Sequence, residues 1–219
     1  MKVRLISYSQ PAEGKEDVGE NIQDLIAYSA RVSNPTNQAN HETSERLLNY
    51  LAKHKHWSPF EMASACLEIT TTRDIARQIL RHRSFSFQEF SQRYAEQAEF
   101  SNFRDARMQD HKNRQNSLEC EDVDLKLDWL KKQSEVAVAV KNAYEWALEK
   151  GIAKEQARAV LPEGITESKM YMNGTLRSWM HYIELRSGVE TQQEHRVIAI
   201  ECGLVLEKIF PLMKKIIRG

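Results

Sequence analysis

The chain has 219 residues, and its 31 basic and 31 acidic side chains give a formal net charge of zero. This balance disfavours a polymeric nucleic acid as partner, because proteins that bind the phosphate backbone usually carry a basic surplus. The hydrophobic fraction of 41% is typical of a globular protein with a sizeable core. With no apolar run long enough to span a membrane and three cysteines without a CxxC pair, we expect a cytoplasmic protein.

The first half of the chain is predicted to alternate strands with helices. VRLISYS and EMASACLEITT have the β-branched, alternating character of strands. Apolar residues at helical spacing predict helices over residues 21–34, 41–56 and 71–83, the last with Thr72 as its N-cap. SFSFQEFSQRY then leaves the third helix in an extended or irregular form.

The second half is predicted to be mostly helical. Residues 100–125 are polar without a clear period, which indicates a long loop. The longest helical pattern follows over residues 124–150, and KMYMNGT has the pattern of a strand. Further helices are expected in IAKEQARAVLP, LRSWMHYIELR and ETQQEHRVIAIECGLVLEKIF. With no obvious linker, the pattern predicts an α+β fold dominated by helices, in a single domain over residues 1–219.

The stretch RHRSFSFQEFSQRY, residues 81–94, places cations among aromatic side chains. One cation at a helix C-terminus would interact favourably with the helix dipole by about 0.3–1 kcal/mol. Three consecutive side chains instead point in different directions, about 100° apart, and can contact different groups. Arginine is also suited to bidentate contacts with phosphate. Residue chemistry alone therefore leaves two readings open, a site for a small anion and simple compensation of the helix dipole.

This stretch also carries a family resemblance. Arg81, His82 and Arg83, here called the RHR triplet, are followed after seven residues by Ser91. This arrangement resembles the RHR-x7-S signature of the flavin-dependent thymidylate synthases, the ThyX family. The wider form of that signature continues with Ser86, Glu89 and Arg93. The segments YSARVSN, KHKHWSPFE, ARQILRHR, ARAVLP and LRSWMHYIELR resemble further blocks of the family in the same order.

The resemblance implies a ThyX-like fold with a small antiparallel sheet, in a homotetramer that holds FAD at its subunit interfaces. It implies reductive methylation of dUMP to dTMP, with methylenetetrahydrofolate as carbon donor and NADPH as reductant. The chain has neither a G-x-G-x-x-G nor a Walker A pattern, so a Rossmann unit is excluded as the flavin site. Two alternatives remain: a non-catalytic nucleotide- or phosphate-binding protein, and arginines that form salt bridges between subunits.

The resemblance further implies roles for individual residues. The expected FAD contacts are Ser58, Arg81, His82, Arg83, Glu89, Thr175, Arg177 and His181. The expected dUMP contacts, several of them from a neighbouring subunit, are Gln78, Arg81, Glu89, Ser91, Arg93, Arg158 and Arg186. Three of the residues named by the resemblance are catalytic candidates: Arg186, Ser91 and His56.

The catalytic candidates differ in their expected tasks. Arg186 is implied to lie against the uracil, where a fixed guanidinium favours ionisation at N3 and stabilises negative charge on the ring. Ser91 is expected to donate a hydrogen bond to the nucleotide, because no histidine–acid pair is placed to activate it as a nucleophile. His56 is implied to lie near the flavin and folate. With His54 it forms an H-x-H pair, but two ligands without a placed carboxylate or cysteine predict no metal site.

The chain departs from the family pattern at three positions. His181 stands where many relatives have Asn, which puts its contact with the cofactor in question. Gln88 replaces an Asn common in the extended signature and is one methylene longer. Glu190 occupies a position where many relatives have His. None of these changes affects the RHR-x7-S signature.

Overall fold

The computed structural model describes residues 1–96, 100 and 103–218. Its strands are β1 (Lys2–Tyr8), β2 (Ser64–Thr72), β3 (Ser86–Glu89), β4 (Arg107–Gln109), β5 (Ser117–Glu119) and β6 (Glu167–Thr175). Four of them form an antiparallel sheet in the order β1-β2-β6-β3, whereas β4 and β5 form a separate antiparallel pair. The central strand β6 therefore pairs on one side with β2 and on the other with the short strand that follows the RHR triplet.

Helices make up most of the remaining chain. They are α1 (Ile22–Ala30), α2 (Ser44–Lys53), α3 (Arg73–Ile79), α4 (Val123–Glu149), α5 (Lys154–Ala157), α6 (Leu176–Arg186), α7 (Gln193–Glu207) and α8 (Met213–Arg218). Short 3-10 turns occupy Glu16–Val18, Pro35–Asn37, Ser58–Glu61 and Arg158–Val160. This architecture confirms the α+β fold, dominated by helices with a small antiparallel sheet.

The core lies between the sheet and α6 and α7. Strand β6 alternates buried and exposed residues, so that Met170 and Met172 face inward and are fully buried. Helix α6 buries the apolar face predicted from its spacing, on which Leu176, Trp179, Met180 and Ile183 are each 0% exposed. The indole N–H of Trp179 donates a 3.0 Å hydrogen bond to the carbonyl of Ala65, which fixes α6 against β2.

The sheet also fixes the segment after the RHR triplet. Phe85 is buried, with its ring 4.8 Å from that of Trp179. It lies so close to the backbone of Gly174 that a Cβ atom there would come within 2.4 Å of the Phe85 ring. Because real Cβ contacts are not that short, the glycine of the NGT sequence is what allows this approach. Phe85 therefore holds the chain next to the triplet against the junction of β6 and α6.

Some boundaries differ from those predicted. The prediction of an irregular loop over 100–125 was wrong in part, because β4 and β5 form a hairpin there, and residues 101 and 102 lie outside the described residues. Each of these strands has three residues, too few to produce a visible alternation. The turn between them is held by Asp110, whose carboxylate accepts hydrogen bonds from the backbone N–H groups of Lys112 and Asn113.

The third predicted helix is shorter than expected. It ends at Ile79, and the N–H groups of Arg81 and His82 donate to carbonyls three residues earlier. The triplet thus lies in the turn immediately beyond α3. Thr72 occupies the N-cap position as predicted, but its hydroxyl donates to the Asp74 carboxylate and does not cap a backbone N–H. The last predicted helix ends at Glu207, and a separate helix, α8, follows it.

Helix α4 has 27 residues and is therefore about 40 Å long. Its buried residues are Gln133, Tyr144 and Ala147. Many of its apolar side chains are exposed, among them Leu127 at 58%, Val138 at 57% and Trp146 at 56%. No helix in the described part of the chain has the length and apolarity needed to cross a bilayer. Helix α4 therefore exposes large apolar side chains next to charged ones. A single copy of the chain leaves this apolar surface uncovered.

Candidate active site

Two distant parts of the sequence meet at the RHR triplet. Nε of Arg186, the last residue of α6, donates a 2.9 Å hydrogen bond to Nε2 of His82, which lies 104 residues earlier. The imidazole of His82 also packs edge-on against the ring of Tyr182, with ring centroids 4.9 Å apart. The end of α6 and the turn after α3 are therefore joined by a histidine that accepts a hydrogen bond from an arginine.

The geometry requires a neutral His82, because an imidazolium has no lone pair at Nε2 with which to accept from Arg186. Burial, followed by the charges of Arg186 and Arg81, lowers the pKa of His82 to about 4. Near neutral pH the positive charge at this junction thus resides on the arginines. His82 holds Arg186 in place without competing with it for an anion.

The guanidinium groups around His82 lack acidic partners. Arg81 and Arg83 are exposed, and neither side chain forms a hydrogen bond or ion pair within the described residues. Arg186 is half-buried and uses Nε for His82, while its two Nη groups have no recorded partner in the same part of the chain. Three guanidinium groups with uncommitted N–H donors in one region form a surface that favours a small anion.

Gln78 lies at the end of α3, beside this junction. Its amide N–H donates to Oε1 of Gln192 at 2.7 Å, and its carbonyl oxygen lies 3.2 Å from Nδ1 of His195. Nε2 of His195 is 3.1 Å from the hydroxyl of Tyr182, the same residue that packs on His82. The predicted dUMP contacts Gln78 and Arg186 are thus brought together through a buried set of polar side chains.

Most of the predicted FAD contacts outside the triplet form a second group. Thr175 and Arg177, at the start of α6, both hydrogen-bond to the carboxylate of Glu61. His181 lies one turn further along α6, and its ring is 4.9 Å from that of Trp57 in an edge-on contact. Ser58 is exposed and adjacent to Trp57. The hydrogen bond from Arg177 is the largest influence on Glu61, and it lowers the pKa of that carboxyl group, which therefore stays ionised.

A third group of predicted site residues consists of two that follow β3 in the chain, Ser91 and Arg93, together with Arg158. The Ser91 hydroxyl accepts a 3.4 Å hydrogen bond from the backbone N–H of Arg93. Arg93 approaches the Glu155 carboxylate at 3.9 Å, and Nε of Arg158 donates to the Glu155 carbonyl at 3.3 Å. Ser91, Arg93 and Arg158 are therefore near one another, but no described contact joins them to Arg186. The predicted dUMP contacts divide into two clusters within one chain.

The side chain of Glu89, which was predicted to contact both FAD and dUMP, is bound to other residues of the same chain. Its carboxylate accepts a 2.6 Å hydrogen bond from the Ser168 hydroxyl and lies 3.6 Å from the Arg73 guanidinium. Gln88, one of the departures from the family pattern, is exposed beside it on β3. Glu190 is exposed in the loop after α6.

His56 lies in an exposed aromatic cluster at the end of α2. The rings of Tyr50 and His54 are 4.3 Å apart, and that of His56 is 6.3 Å from His54. Lys55 between the histidines has a φ of 58°, a left-handed conformation that turns the chain sharply. Within residues 1–96, 100 and 103–218, no three His, Cys, Asp or Glu side chains are grouped so that they could hold a metal ion.

The residues present fit an anionic cofactor. Nε of Arg177 is buried and has no hydrogen-bond partner among the described atoms, which is unusual for a buried donor. The next residue of α6, Ser178, donates a 3.4 Å hydrogen bond from its hydroxyl to the carbonyl of Ser84, which follows the RHR triplet. Arg81 and Arg83 are exposed, so the cationic surface is open to solvent. An open cationic surface with an unused buried donor suits a ligand that carries phosphate groups.

Two residues of this region were missed by the sequence reasoning. His195 is 0% exposed within α7, and Tyr182 is 1% exposed on the inner face of α6. The signal for His195 was present, because a histidine aligned with Ile198, Ala199 and Cys202 on a buried helix face needs a polar partner. The signal for Tyr182 was weaker, since tyrosine is common in cores.

Comparisons with known proteins identify the family. A family model described as "Thymidylate synthase complementing protein" (Thy1) matches residues 16–212. The chain is 49% identical over 215 residues to the "Probable flavin-dependent thymidylate synthase" of Paramecium bursaria Chlorella virus 1, across 98% of each chain. It is 48% identical over 211 residues to the flavin-dependent thymidylate synthase of Synechocystis sp. (strain ATCC 27184 / PCC 6803 / Kazusa), across 96% of each chain.

A solved structure supports the fold. The UMP/dUMP methylase PolB from Streptomyces cacaoi, bound with 5-Br dUMP, matches with a TM-score of 0.79 at 26% identity. The match covers 98% of this chain and 93% of that one, which confirms the ThyX-like fold expected from the sequence. The matches extend over nearly the whole chain and include the triplet, Ser91 and Arg186. This protein therefore belongs to the family of flavin-dependent thymidylate synthases.

Proposed function

We propose that the protein is a methyltransferase that converts dUMP to dTMP in the cytoplasm. Methylenetetrahydrofolate donates the carbon, which bonds to C5 of the pyrimidine as the C5 hydrogen leaves as a proton. Two electrons from NADPH, carried by FAD, reduce the transferred methylene to a methyl group, so that tetrahydrofolate and NADP⁺ are the other products. The relatives named above and the dUMP analogue bound to PolB support this assignment.

The observation that carries the proposal is the junction of Arg186 with the RHR triplet. A guanidinium held by a neutral His82 keeps its Nη groups free and its position fixed. Fixed donors stabilise developing negative charge without reorganising at the moment of reaction. Arg186 would thus lie against the uracil, where it favours loss of the N3 proton and makes the ring more nucleophilic at C5.

The other predicted dUMP contacts bind and orient the nucleotide. Gln78 offers an amide beside Arg186, and the cluster of Ser91, Arg93 and Arg158 offers a hydroxyl and two guanidinium groups to the phosphate. Because no contact among the described residues joins these clusters, we propose that one nucleotide is held by residues from two subunits. Ser91 donates a hydrogen bond in this arrangement and does not act as a nucleophile.

FAD would be held by Arg81, His82, Arg83, Ser58, Thr175, Arg177 and His181, with Glu89 at the edge of the site. When bound, it supplies the hydride that completes the methyl group. The unused Nε donor of Arg177 and the free guanidinium groups of the triplet match the charge of its pyrophosphate. His181 is held edge-on against Trp57 and stands where many relatives have Asn, and its imidazole would contribute to holding the flavin. His56 is exposed and lies two residues before Ser58 in the sequence, and it would contact the folate.

Residues 1–219 form one domain in this proposal, and four copies assemble into a homotetramer with FAD at the subunit interfaces. Support comes from α4, whose exposed Leu127, Val138 and Trp146 give an apolar surface of the kind that subunit interfaces cover. The open cationic surface around the triplet supports a site that two subunits complete.

The experiment is to purify the protein and record its absorbance near ~450 nm, where an oxidised flavin absorbs. Tritium release from C5-labelled dUMP is then measured with methylenetetrahydrofolate and NADPH, with and without added FAD. We expect release that depends on FAD and on the folate. Replacing NADPH by NADH in the same assay tests the choice of reductant.

The second candidate function, a non-catalytic phosphate-binding protein, is favoured by the free arginines alone. It predicts dUMP binding by calorimetry with no flavin absorbance and no tritium release. Flavin absorbance together with FAD-dependent release would exclude it. A protein that binds neither flavin nor dUMP would contradict both candidates.

A further inference from the structure

Six side chains, with Gln78 among them, form a continuous series of hydrogen bonds, here called the Gln78 relay. It begins at the β4–β5 hairpin, where Nη2 of Arg107 donates to Oε1 of Glu194 at 2.6 Å. Nε2 of Gln192 donates to the other carboxylate oxygen at 2.9 Å. The relay continues through Gln78 and His195 and ends at Tyr182.

Glu194, the second member of the relay, fixes the direction of every hydrogen bond in it. Burial raises the pKa of Glu194, but the hydrogen bonds from Arg107 and Gln192 outweigh it, so that its pKa is lowered overall and it stays ionised. An ionised carboxylate accepts hydrogen bonds and donates none. Gln192 must therefore turn its NH₂ toward Glu194 and its oxygen toward Gln78. Gln78 in turn must give its NH₂ to Gln192, which leaves its oxygen facing His195.

The same logic fixes the state of His195. Its Nδ1 faces the Gln78 oxygen and must carry the proton, so Nε2 is bare and accepts from the Tyr182 hydroxyl. A protonated imidazole could not accept there. Burial, followed by the charge of Arg186, lowers the pKa of His195 to about 3, and burial raises the pKa of Tyr182 well above 10. Both groups are thus neutral throughout the physiological range.

We propose that His195 is a positioning residue that sets the amide orientation of Gln78 for the pyrimidine nucleotide, with Glu194 and Arg107 defining the direction. Without the relay, the Gln78 amide could rotate by 180° and exchange its donor and acceptor. With it, one N–H and one lone pair of Gln78 remain free in fixed positions beside Arg186. This inference deepens the proposed function and rests on it, because it requires that Gln78 contacts dUMP.

The relay also explains a connection that the sequence did not reveal. Arg107 belongs to the hairpin within the region predicted to be an irregular loop, and its partner Glu194 is 87 residues away. Its side chain is 19% exposed and that of Glu194 is 11% exposed, so the pair is largely withdrawn from water. The hairpin is therefore linked to the predicted nucleotide contact Gln78 through hydrogen bonds.

The test compares dUMP affinity by calorimetry on the flavin-loaded protein and its variants. In His195→Leu the relay is broken, and we expect dUMP to bind about tenfold more weakly, the effect of a lost, oriented hydrogen bond. In His195→Asn the side-chain NH₂ replaces the Nδ1 donor, so the loss should be less than about threefold. The matched control is Ile198→Ala, which removes core contacts one turn along α7 and should leave the dUMP Kd unchanged.

Glu194→Gln provides a variant of nearly the same size in case the His195 variants do not fold. An amide can both donate and accept, so this change removes the fixed direction, and we expect about threefold weaker dUMP binding. In the wild-type protein, ¹⁵N NMR of the imidazole should show His195 protonated at Nδ1 and bare at Nε2.

Several results would overturn the inference. They are an Nε2-protonated His195, a His195→Leu variant with wild-type dUMP affinity, and equal losses in His195→Leu and Ile198→Ala. If wild-type protein binds no dUMP, the proposed function itself fails. That failure is distinct from one in which the wild-type protein binds dUMP and the variants bind it equally well.

Discussion

The arginines of this protein fall into two regions that use the same side chain in opposite ways. In one region Arg104 is bound to the Asp74 carboxylate, with contacts of 2.8 and 2.7 Å, and Arg107 is bound to Glu194. In the other, Arg81, Arg83 and Arg186 have guanidinium groups without an acidic partner in the described chain. Paired arginines hold chain segments together, whereas unpaired ones are available to a ligand.

The difference bears on the purely structural reading of the RHR triplet. Arg104 and Arg107 have acidic partners within the described residues and Arg81, Arg83 and Arg186 have none, so the alternative of salt bridges concerns only contacts with a neighbouring subunit. The immediate neighbours are instead two neutral histidines, His82 and His195. Charge of one sign, concentrated without internal compensation, is costly to the fold and is typical of a functional site.

The largest expected effect is that of Arg186→Ala. We expect FAD-dependent tritium release to fall by about 10²- to 10³-fold, the loss typical of a fixed donor that stabilises developing charge. The free energy of unfolding should change by less than about 1 kcal/mol, since one hydrogen bond to His82 is lost. Activity and thermal unfolding are measured on the same preparations. Retention of wild-type activity would remove Arg186 from the catalytic set.

Arg104→Ala should have the opposite profile. It removes hydrogen bonds to Asp74 and Thr72 at a site where both charged side chains are about three-quarters buried, so we expect a loss of about 2 kcal/mol in unfolding free energy. The dUMP affinity should not change. The matched control is Arg77→Ala, whose ion pair with Glu163 is more exposed and should contribute less than about 1 kcal/mol. Equal losses in the two variants would show that burial does not distinguish the pairs.

The two histidines make stability sensitive to acid. Their folded-state pKa values, about 4 for His82 and about 3 for His195, lie below the unfolded value of about 6.5. Below pH 6.5 the unfolded chain binds protons that the folded protein does not, so the free energy of unfolding falls as the pH falls. Each histidine contributes a slope of about 1.4 kcal/mol per pH unit between roughly pH 6 and the folded pKa.

The measurement is denaturant unfolding of wild type and His195→Asn at pH 7, 6, 5 and 4.5. The free energy of unfolding of His195→Asn should depend less steeply on pH, because the variant lacks one of the two histidines whose pKa is lowered in the folded protein. Identical slopes would mean that His195 is as easily protonated in the folded protein as in the unfolded chain.

The smallest expected effect is that of salt. Raising the NaCl concentration from 0.05 to 0.5 M should weaken dUMP binding about threefold, because the unpaired arginines are partly exposed and their attraction for phosphate is screened. The unfolding free energy should change little, since the paired arginines are more buried. Stability that falls with salt while dUMP affinity stays constant would instead favour arginines engaged in salt bridges between subunits.

Much of the fold could be predicted because its patterns are regular. The apolar stripe Leu176, Trp179, Met180 and Ile183 predicted α6 and its buried face together, and strand β2 was recognised by its β-branched residues. The β4–β5 hairpin was not predicted, because three-residue strands are held by Asp110 and its turn and not by periodicity. Helix α8 was missed because it lies beyond Pro211, outside the predicted helix that ends at Phe210, and its six residues are too few to give a clear period.

The candidate site could be predicted by residue identity but not by geometry. The RHR-x7-S signature identified the triplet and Ser91, and the resemblance named Arg186. That Arg186 hydrogen-bonds His82 could not be predicted, because residues 104 apart become neighbours only through the packing of α6 on the sheet. His195 escaped notice for a related reason. Its partners Gln78 and Tyr182 come from α3 and α6, and no local pattern in α7 indicates them.

The strand order β1-β2-β6-β3 has a consequence for how the chain acquires its structure during synthesis. Strand β3 is complete by residue 89, but its sheet partner β6 ends at residue 175. Until the ribosome has released β6, the segment that follows the triplet has no neighbour in the sheet, and Arg186 has not yet been made. Contacts this distant in sequence close slowly, because a long loop loses entropy before any contact forms. Chains that end before α6 would therefore lack Arg186 and the buried face of α6 that packs against the sheet, so the nucleotide site could not form.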